Sequence, residues 1–271
     1  MSRWIFLSKN GNDSYVNMFA AGCRDTVVSE EYFDYNKCND PIVLRGILKH
    51  KVMKKCWQDN RTFYYIDTGY FGNERTVANP QGWKYWHRIV KNNLQHGEII
   101  SRPDDRLQRF NKEFRPWKKD GRKILVAKPD EKPCKFYNIE LDAWLDETVA
   151  TIKQHTDRPI VIRDRTRSRT ERKTNRLEHS LLDVHAVVTF NSIAATESVL
   201  AGVPVFVLAP CNAARPVANL DLTKIETPWF PDRDQLQAWA NHLAYAQFHI
   251  DEFKNGSAER ILTQTEEMLN V

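Results

Sequence analysis

The chain is expected to be an α/β protein of two halves, the second a Rossmann-like domain built on a parallel sheet. Three observations predict this. From residue 123 onward, short β-branched runs alternate with amphipathic segments of helical period, the order that builds a parallel sheet with right-handed crossovers. Residues 185–208 place a strand, a polar turn, a helix and a second strand in immediate succession. Between the halves, residues 101–122 (SRPDDRLQRFNKEFRPWKKDGR) are polar, carry two prolines and a glycine, and lack a sustained apolar period. A boundary near Lys119 gives an N-terminal half of residues 1–118 and a C-terminal half of 119–271.

In the first half, the apolar run WIFLS and the run PIVLRGIL at 41–48 read as strands. The second ends near Arg45 and Gly46, which suits either a substrate-side loop or a plain turn, since glycine lets a backbone pass close to a ligand. The basic run KHKVMKK at 49–55 opens a helix whose charged face serves solvent or an anionic acceptor. Residues 62–66 form the next strand, with Asp67, Thr68 and Gly69 at its carboxyl end. A carboxylate there can act as a general base on an acceptor hydroxyl, or can simply bond its own turn. The segment GWKYWHRIVKNNLQ at 82–95 is expected to be an amphipathic helix packing Trp86, Ile89, Val90 and Leu94 into a core. His87 and Arg88 are left as acceptor-side candidates alongside Arg45.

In the second half, strands at 123–127 and 159–162 flank a helical segment at 138–155, and 177–182 closes a helix before the central strand at 186–190. Asn191 and Ser192 are good N-caps, and Gly202 followed by Pro204 ends the next helix. A helix opening at the carboxyl end of a parallel strand is where such sheets bind anionic ligands. Glu197, a little over one turn further on, can reach past a phosphate to ribose hydroxyls or stand as an ordinary surface residue. The run RDRTRSRTERKTNR at 163–176 begins at a strand end, so Arg163 and Arg165 are placed to offset phosphate charge. Arg169, Arg172, Lys173 and Arg176 fall on one helical face, suited to solvent or a DNA backbone. Asn212 and Arg215, in the loop after the next strand, are secondary ligand candidates. Asp232, Arg233 and Asp234 look like a D-x-D metal motif but sit directly before a helical pattern, and are read as capping. The terminal helices are expected at 235–248 and 257–269.

The 271 residues carry a formal net charge of +5, 41% hydrophobic residues and five scattered cysteines without a C-x-x-C pair. That composition favours a folded protein with reduced thiols and argues against a zinc site or disulfide framework. No run approaches a membrane span, so a soluble cytoplasmic protein is expected. The absence of G-x-G-x-x-G counts against a nicotinamide or flavin enzyme, and no catalytic metal or bound cofactor is expected.

The segment VVTFNSIAATESVLAGVPVFV resembles the donor-binding βαβ unit of GT-B glycosyltransferases, in particular the capsule and Kdo-transferase type and phage-encoded relatives. IDTGYFG followed by RI resembles a signature of the phage-type sequences. In such families the serine at the helix start contacts the nucleotide-sugar diphosphate and the glutamate contacts the nucleotide's sugar. The resemblance therefore implies a GT-B-like fold, with two Rossmann-like parallel-sheet halves facing a cleft and the C-terminal helices crossing back onto the first, these roles for Ser192 and Glu197, and a UDP-sugar or similar co-substrate. It also implies charge neutralisation by basic side chains such as Arg163 and Arg165, and Asp67 as the base. The acceptor it suggests is a hydroxymethylated pyrimidine in double-stranded phage DNA, inside the host cytoplasm, with a capsule or lipid-linked glycan as the alternative. A non-catalytic nucleotide or DNA binding module is the rival of another class. A nucleotide-sugar epimerase would need carboxylates on both faces of the sugar, which the sequence does not display.

Overall fold

A computed structural model describes residues 4–47, 51–73, 81–164 and 177–269. In chain order the elements are β1 (Ile5–Ser8), α1 (Ser14–Gly22), β2 (Val27–Ser29), β3 (Ile42–Arg45), α2 (Lys51–Gln58), β4 (Phe63–Thr68) and β5 (Trp86–Lys91). There follow α3 (Asp105–Gln108), β6 (Lys123–Ala127), α4 (Glu131–Tyr137), α5 (Leu141–His155), β7 (Ile160–Arg163), α6 (Leu177–Ser180), β8 (Val184–Thr189) and α7 (Ala194–Leu200). The chain closes with β9 (Val205–Val207), α8 (Arg233–Tyr245), β10 (Gln247–His249), α9 (Ile250–Lys254) and α10 (Ser257–Leu269).

Two compact units emerge, one of residues 1–94 and 241–271 and the other of residues 95–240. This divides the chain differently from the expected boundary near Lys119. Residues 101–122, read from sequence as a connection, pack within the second unit. Phe114 is buried there, the Arg115 and Lys118 amides donate to the carbonyls of Leu200 and Gly202 at 3.1 and 2.7 Å, and Trp117 Nε1 donates to Pro231 O at 2.9 Å.

The first unit holds a six-stranded sheet in the order β10-β5-β4-β3-β1-β2. Strands β2, β1, β3 and β4 run parallel, whereas β5 is antiparallel to both β4 and β10, so this sheet is mixed, not wholly parallel. The segment 82–95 is correspondingly not a helix. It forms one 3-10 turn, Gly82–Lys84, and then β5. Its apolar pattern was misleading because β5 is buried on both faces: consecutive Ile89 and Val90 are both shielded, and no period-2 alternation survives.

The terminal segment does return to this unit. Phe253, Ala258 and Leu262 of α9 and α10, with Phe248 of β10, join Trp4, Phe6, Phe19 and Ile66 in one core. Full burial of each such phenylalanine contributes about 1.5–3 kcal/mol. Phe248 lies in a strand and not in the helix expected over 235–248. Gly22 is required where α1 meets α9, since a Cβ there would stand 1.8 Å from the Phe253 carbonyl oxygen.

The second unit holds a four-stranded, all-parallel sheet in the order β7-β6-β8-β9. Ile124, Val126, Ala186, Val188 and Phe206 form its core with Ile152 of α5. The helix expected over 138–155 is broken in two: α4 ends where Asn138 turns left-handed at φ 58°, and Glu140 then caps α5 through the amides of Asp142 and Ala143. Gly202, at φ +74°, ends α7 as the sequence indicated. Asp232 caps α8 reciprocally with Gln235, each side chain accepting from the other's amide at 2.8 and 2.9 Å. This is the capping role expected of the D-x-D sequence.

Candidate functional site

In a parallel sheet of order β7-β6-β8-β9 the chain departs in opposite directions from β6 and β8, so the crevice beyond their carboxyl ends is the place to look for a ligand. Every loop arising there carries a polar group. Lys128 follows β6, Arg163 ends β7, Asn191 and Ser192 follow β8, and Asn212 and Arg215 lie beyond β9. Thr189, the last residue of β8, ties the switch point together: its hydroxyl donates to the Ala127 carbonyl at 2.9 Å and accepts from the Ser192 amide at 3.4 Å. Ser192 Oγ accepts from the Ala194 amide at 3.2 Å, but α7 starts later than expected, with Ile193 at its N-cap position and no side-chain cap bond.

Two cations stand at the strand ends. Lys128 lies 3.7 Å from Asp142 and 3.9 Å from Asp164, both acids largely in solvent. Pairs of that length and exposure contribute little. Arg163 Nε donates to Ser180 Oγ at 3.1 Å. Burial lowers its pKa and the nearby Glu197 carboxylate opposes that shift, which places this exposed acid within electrostatic range of the guanidinium. Arg165, with Arg169, Arg172, Lys173 and Arg176, lies outside the described residues.

Asn191 and Asn212 are buried and shape the loops from within. Asn212 Nδ2 donates to the Ser192 carbonyl at 3.4 Å while its Oδ1 accepts from the Ala214 amide at 2.9 Å. Arg215 Nη1 reaches the Ala209 carbonyl at 3.3 Å. Gln95 was not singled out in the sequence. It is buried, donates through Nε2 to the Asn191 carbonyl, and accepts from the Ala213 amide at 3.0 Å. No local pattern announces such a residue, whereas Thr189 left a trace as the polar side chain that follows the apolar run Ala186–Val188.

The remaining candidates gather in the first unit. Asp67 Oδ2 accepts from Arg88 Nη2 at 2.7 Å and from the Tyr65 hydroxyl at 3.0 Å, and Oδ1 accepts from the Thr68 amide at 2.8 Å. Burial by itself would raise the Asp67 carboxyl. Arg88, the Thr68 amide, the Tyr65 hydroxyl and Arg45 together outweigh it, and the pKa falls below its ordinary value of 3.8. Arg88 is buried and fully engaged, donating also to the carbonyls of Thr68 and Leu94. Arg45 pairs with Asp13 at 3.4 Å and lies over the Tyr15 ring at 4.5 Å. His87 is fully buried beside Tyr15, with ring centroids 3.9 Å apart. Its Nε2 is bonded to the Lys84 carbonyl, and burial pulls its pKa down to about 4. The loop after Asp67 is clamped by a further buried side chain absent from the sequence reading: Gln247 of β10 accepts from the Tyr70 and Phe71 amides and donates to the Phe71 carbonyl.

Among the described residues no group of three or more His, Cys, Asp or Glu is placed to hold a metal ion, and no helix is long and apolar enough to cross a membrane. No protein-family model matches the chain, and no curated protein matches its sequence. Among solved structures, the chain is similar to the KpsC beta Kdo 2,4 transferase of Thermosulfurimonas dismutans, with a TM-score of 0.45 at 12% identity over 87% of this chain and 89% of that one. It is also similar to the beta Kdo 2,7 transferase of KpsC from the same organism, with a TM-score of 0.38 at 13% identity over 81% and 85%. At these scores and identities neither likeness carries a functional assignment.

Proposed function

We propose that the second unit binds the diphospho-nucleoside part of a nucleotide-sugar and that the protein is a glycosyltransferase. The observation that carries this reading is the arrangement at the β6/β8 switch point: the cations Lys128 and Arg163 at neighbouring strand ends, the Ser192 turn after β8, and the exposed Glu197 within electrostatic range of Arg163. Cations at strand ends suit phosphate oxygens, and a nearby carboxylate suits ribose hydroxyls. Arg165 and Arg215 are the further candidates for the diphosphate. Asp67 is retained as the proposed base for the acceptor hydroxyl. Its lowered pKa keeps it ionised at neutral pH but makes it a weak proton acceptor, so any gain must come from placement.

The test is titration with UDP and a panel of nucleotide-sugars. Arg163→Ala, Ser192→Ala and Glu197→Gln should each weaken nucleoside-diphosphate binding about 10-fold or more, the range expected on losing a charge-assisted hydrogen bond. Unchanged affinity in all three removes the proposed site. For the acceptor, hydroxymethylated duplex DNA and a capsule-type or lipid-linked glycan are tried in parallel. Transfer to the DNA supports the pyrimidine reading, and transfer to the glycan replaces it. Asp67→Asn should abolish transfer while leaving UDP affinity intact. Nucleotide binding with no transfer to any acceptor favours the non-catalytic binding module.

A further inference from the structure

A loop that is to lie against phosphate must not point carbonyl oxygens at it, because they repel the anion as strongly as amide N–H groups attract it. In the turn after β8 the carbonyls in question belong to Asn191 and Ser192, and both are occupied by donors from the protein. Gln95 Nε2 donates to the Asn191 carbonyl, while Asn212 Nδ2 and the Ala195 amide donate to that of Ser192 at 3.4 and 3.1 Å. The other end of the Gln95 amide accepts from the Ala213 N–H at 3.0 Å, and the Ala213 carbonyl accepts from Trp239 Nε1 at 2.6 Å. Burying a glutamine is costly unless both ends of its amide are bonded, and here both are, to two different ligand-side loops. At 4% exposure Gln95 itself is closed to solvent, so its effect must pass through the loops it joins.

We propose that Gln95 is a positioning residue of the anion site, setting the separation between the 191–192 turn and the 212–215 loop so that the pair accepts a diphosphate in preference to a monophosphate. This rests on the reading that the second unit holds the diphospho-nucleoside.

The experiment titrates uridine, UMP and UDP into wild-type protein, Gln95→Met and Ser192→Ala, with amide hydrogen exchange followed at Ala213. In Gln95→Met the UDP affinity should fall at least 10-fold and the UDP-to-UMP preference should collapse, while uridine binds within twofold of wild type. A residue that merely holds the fold together would weaken all three ligands alike. In wild-type protein UDP, but not uridine, should slow exchange at Ala213, a readout that stands even if Gln95→Met does not fold. Wild-type UDP affinity and selectivity in Gln95→Met, or UDP binding without protection of Ala213, overturns the role of Gln95 and leaves the site itself standing if Ser192→Ala still weakens UDP. Failure of wild-type protein to bind any of the three overturns the site and the role of Gln95 together.

Discussion

The two units share a parallel core of the same strand order, β2-β1-β3-β4 in the first and β7-β6-β8-β9 in the second, yet they treat the charges at their strand ends in opposite ways. In the first unit every candidate cation has a close acid: Arg45 with Asp13, and Arg88 with Asp67 at 2.7 Å. Two added antiparallel strands, β5 and β10, supply the side chains that lock the Asp67 loop. In the second unit Lys128 meets Asp142 and Asp164 at 3.7 and 3.9 Å, both largely exposed, and the buried polar side chains Gln95, Thr189 and Asn212 hold loops in place. The same topology thus carries a close, buried ion pair at one strand end, Asp67 with Arg88, and long, exposed pairs at another, those of Lys128. Strand order fixes where a site can be, and side-chain pairing decides what it can hold.

Arg88→Met tests the neutralised side most severely. It leaves Asp67 without its guanidinium and removes the donors that Arg88 gives to the Thr68 and Leu94 carbonyls, and should destabilise the protein by about 4 kcal/mol in denaturant unfolding. Where the protein remains folded, UDP affinity should stay within twofold of wild type, and a large loss of UDP binding breaks the contrast between the units.

Acidification probes the same side. His87 titrates at about 4 when folded against 6.5 when free, so between those values the unfolded chain binds the extra proton and stability falls as pH falls. The difference corresponds to at most about 3 kcal/mol, fully lost near pH 4. Asp67, held below 3.8, adds to the loss in the same direction at still lower pH. Unfolding free energies measured from pH 7 to 4 should show this slope in wild type and a flatter one in His87→Leu. Equal slopes would mean that His87 is not kept neutral by its surroundings.

Asp232→Ala should have the smallest effect, about 1 kcal/mol by thermal unfolding, from loss of the cap on α8. No change in nucleotide or metal affinity should accompany it. A metal-dependent phenotype at Asp232 would restore the D-x-D reading and shift weight away from the β6/β8 crevice.

Wherever a feature depends on near neighbours in the chain, the amino-acid sequence was sufficient. The β8–α7–β9 unit, the Gly202 stop and the Asp232 cap follow from β-branched runs, capping residues and helical period. So does the placement of Arg163 at the end of β7 and of Asn191 and Ser192 in the loop after β8, because topology sends those loops to one edge of the sheet. Tertiary structure alone decided that Trp86–Lys91, within the segment 82–95, is a strand, since burial on both faces erases the alternation that would mark it. It also decided that 101–122 belongs to the second unit, through bonds to residues about 85 positions onward that no local pattern encodes. Gln95 and Gln247 act on residues roughly a hundred or more positions away. An amide side chain carries no sign of its partner until the fold brings the partner within 3 Å.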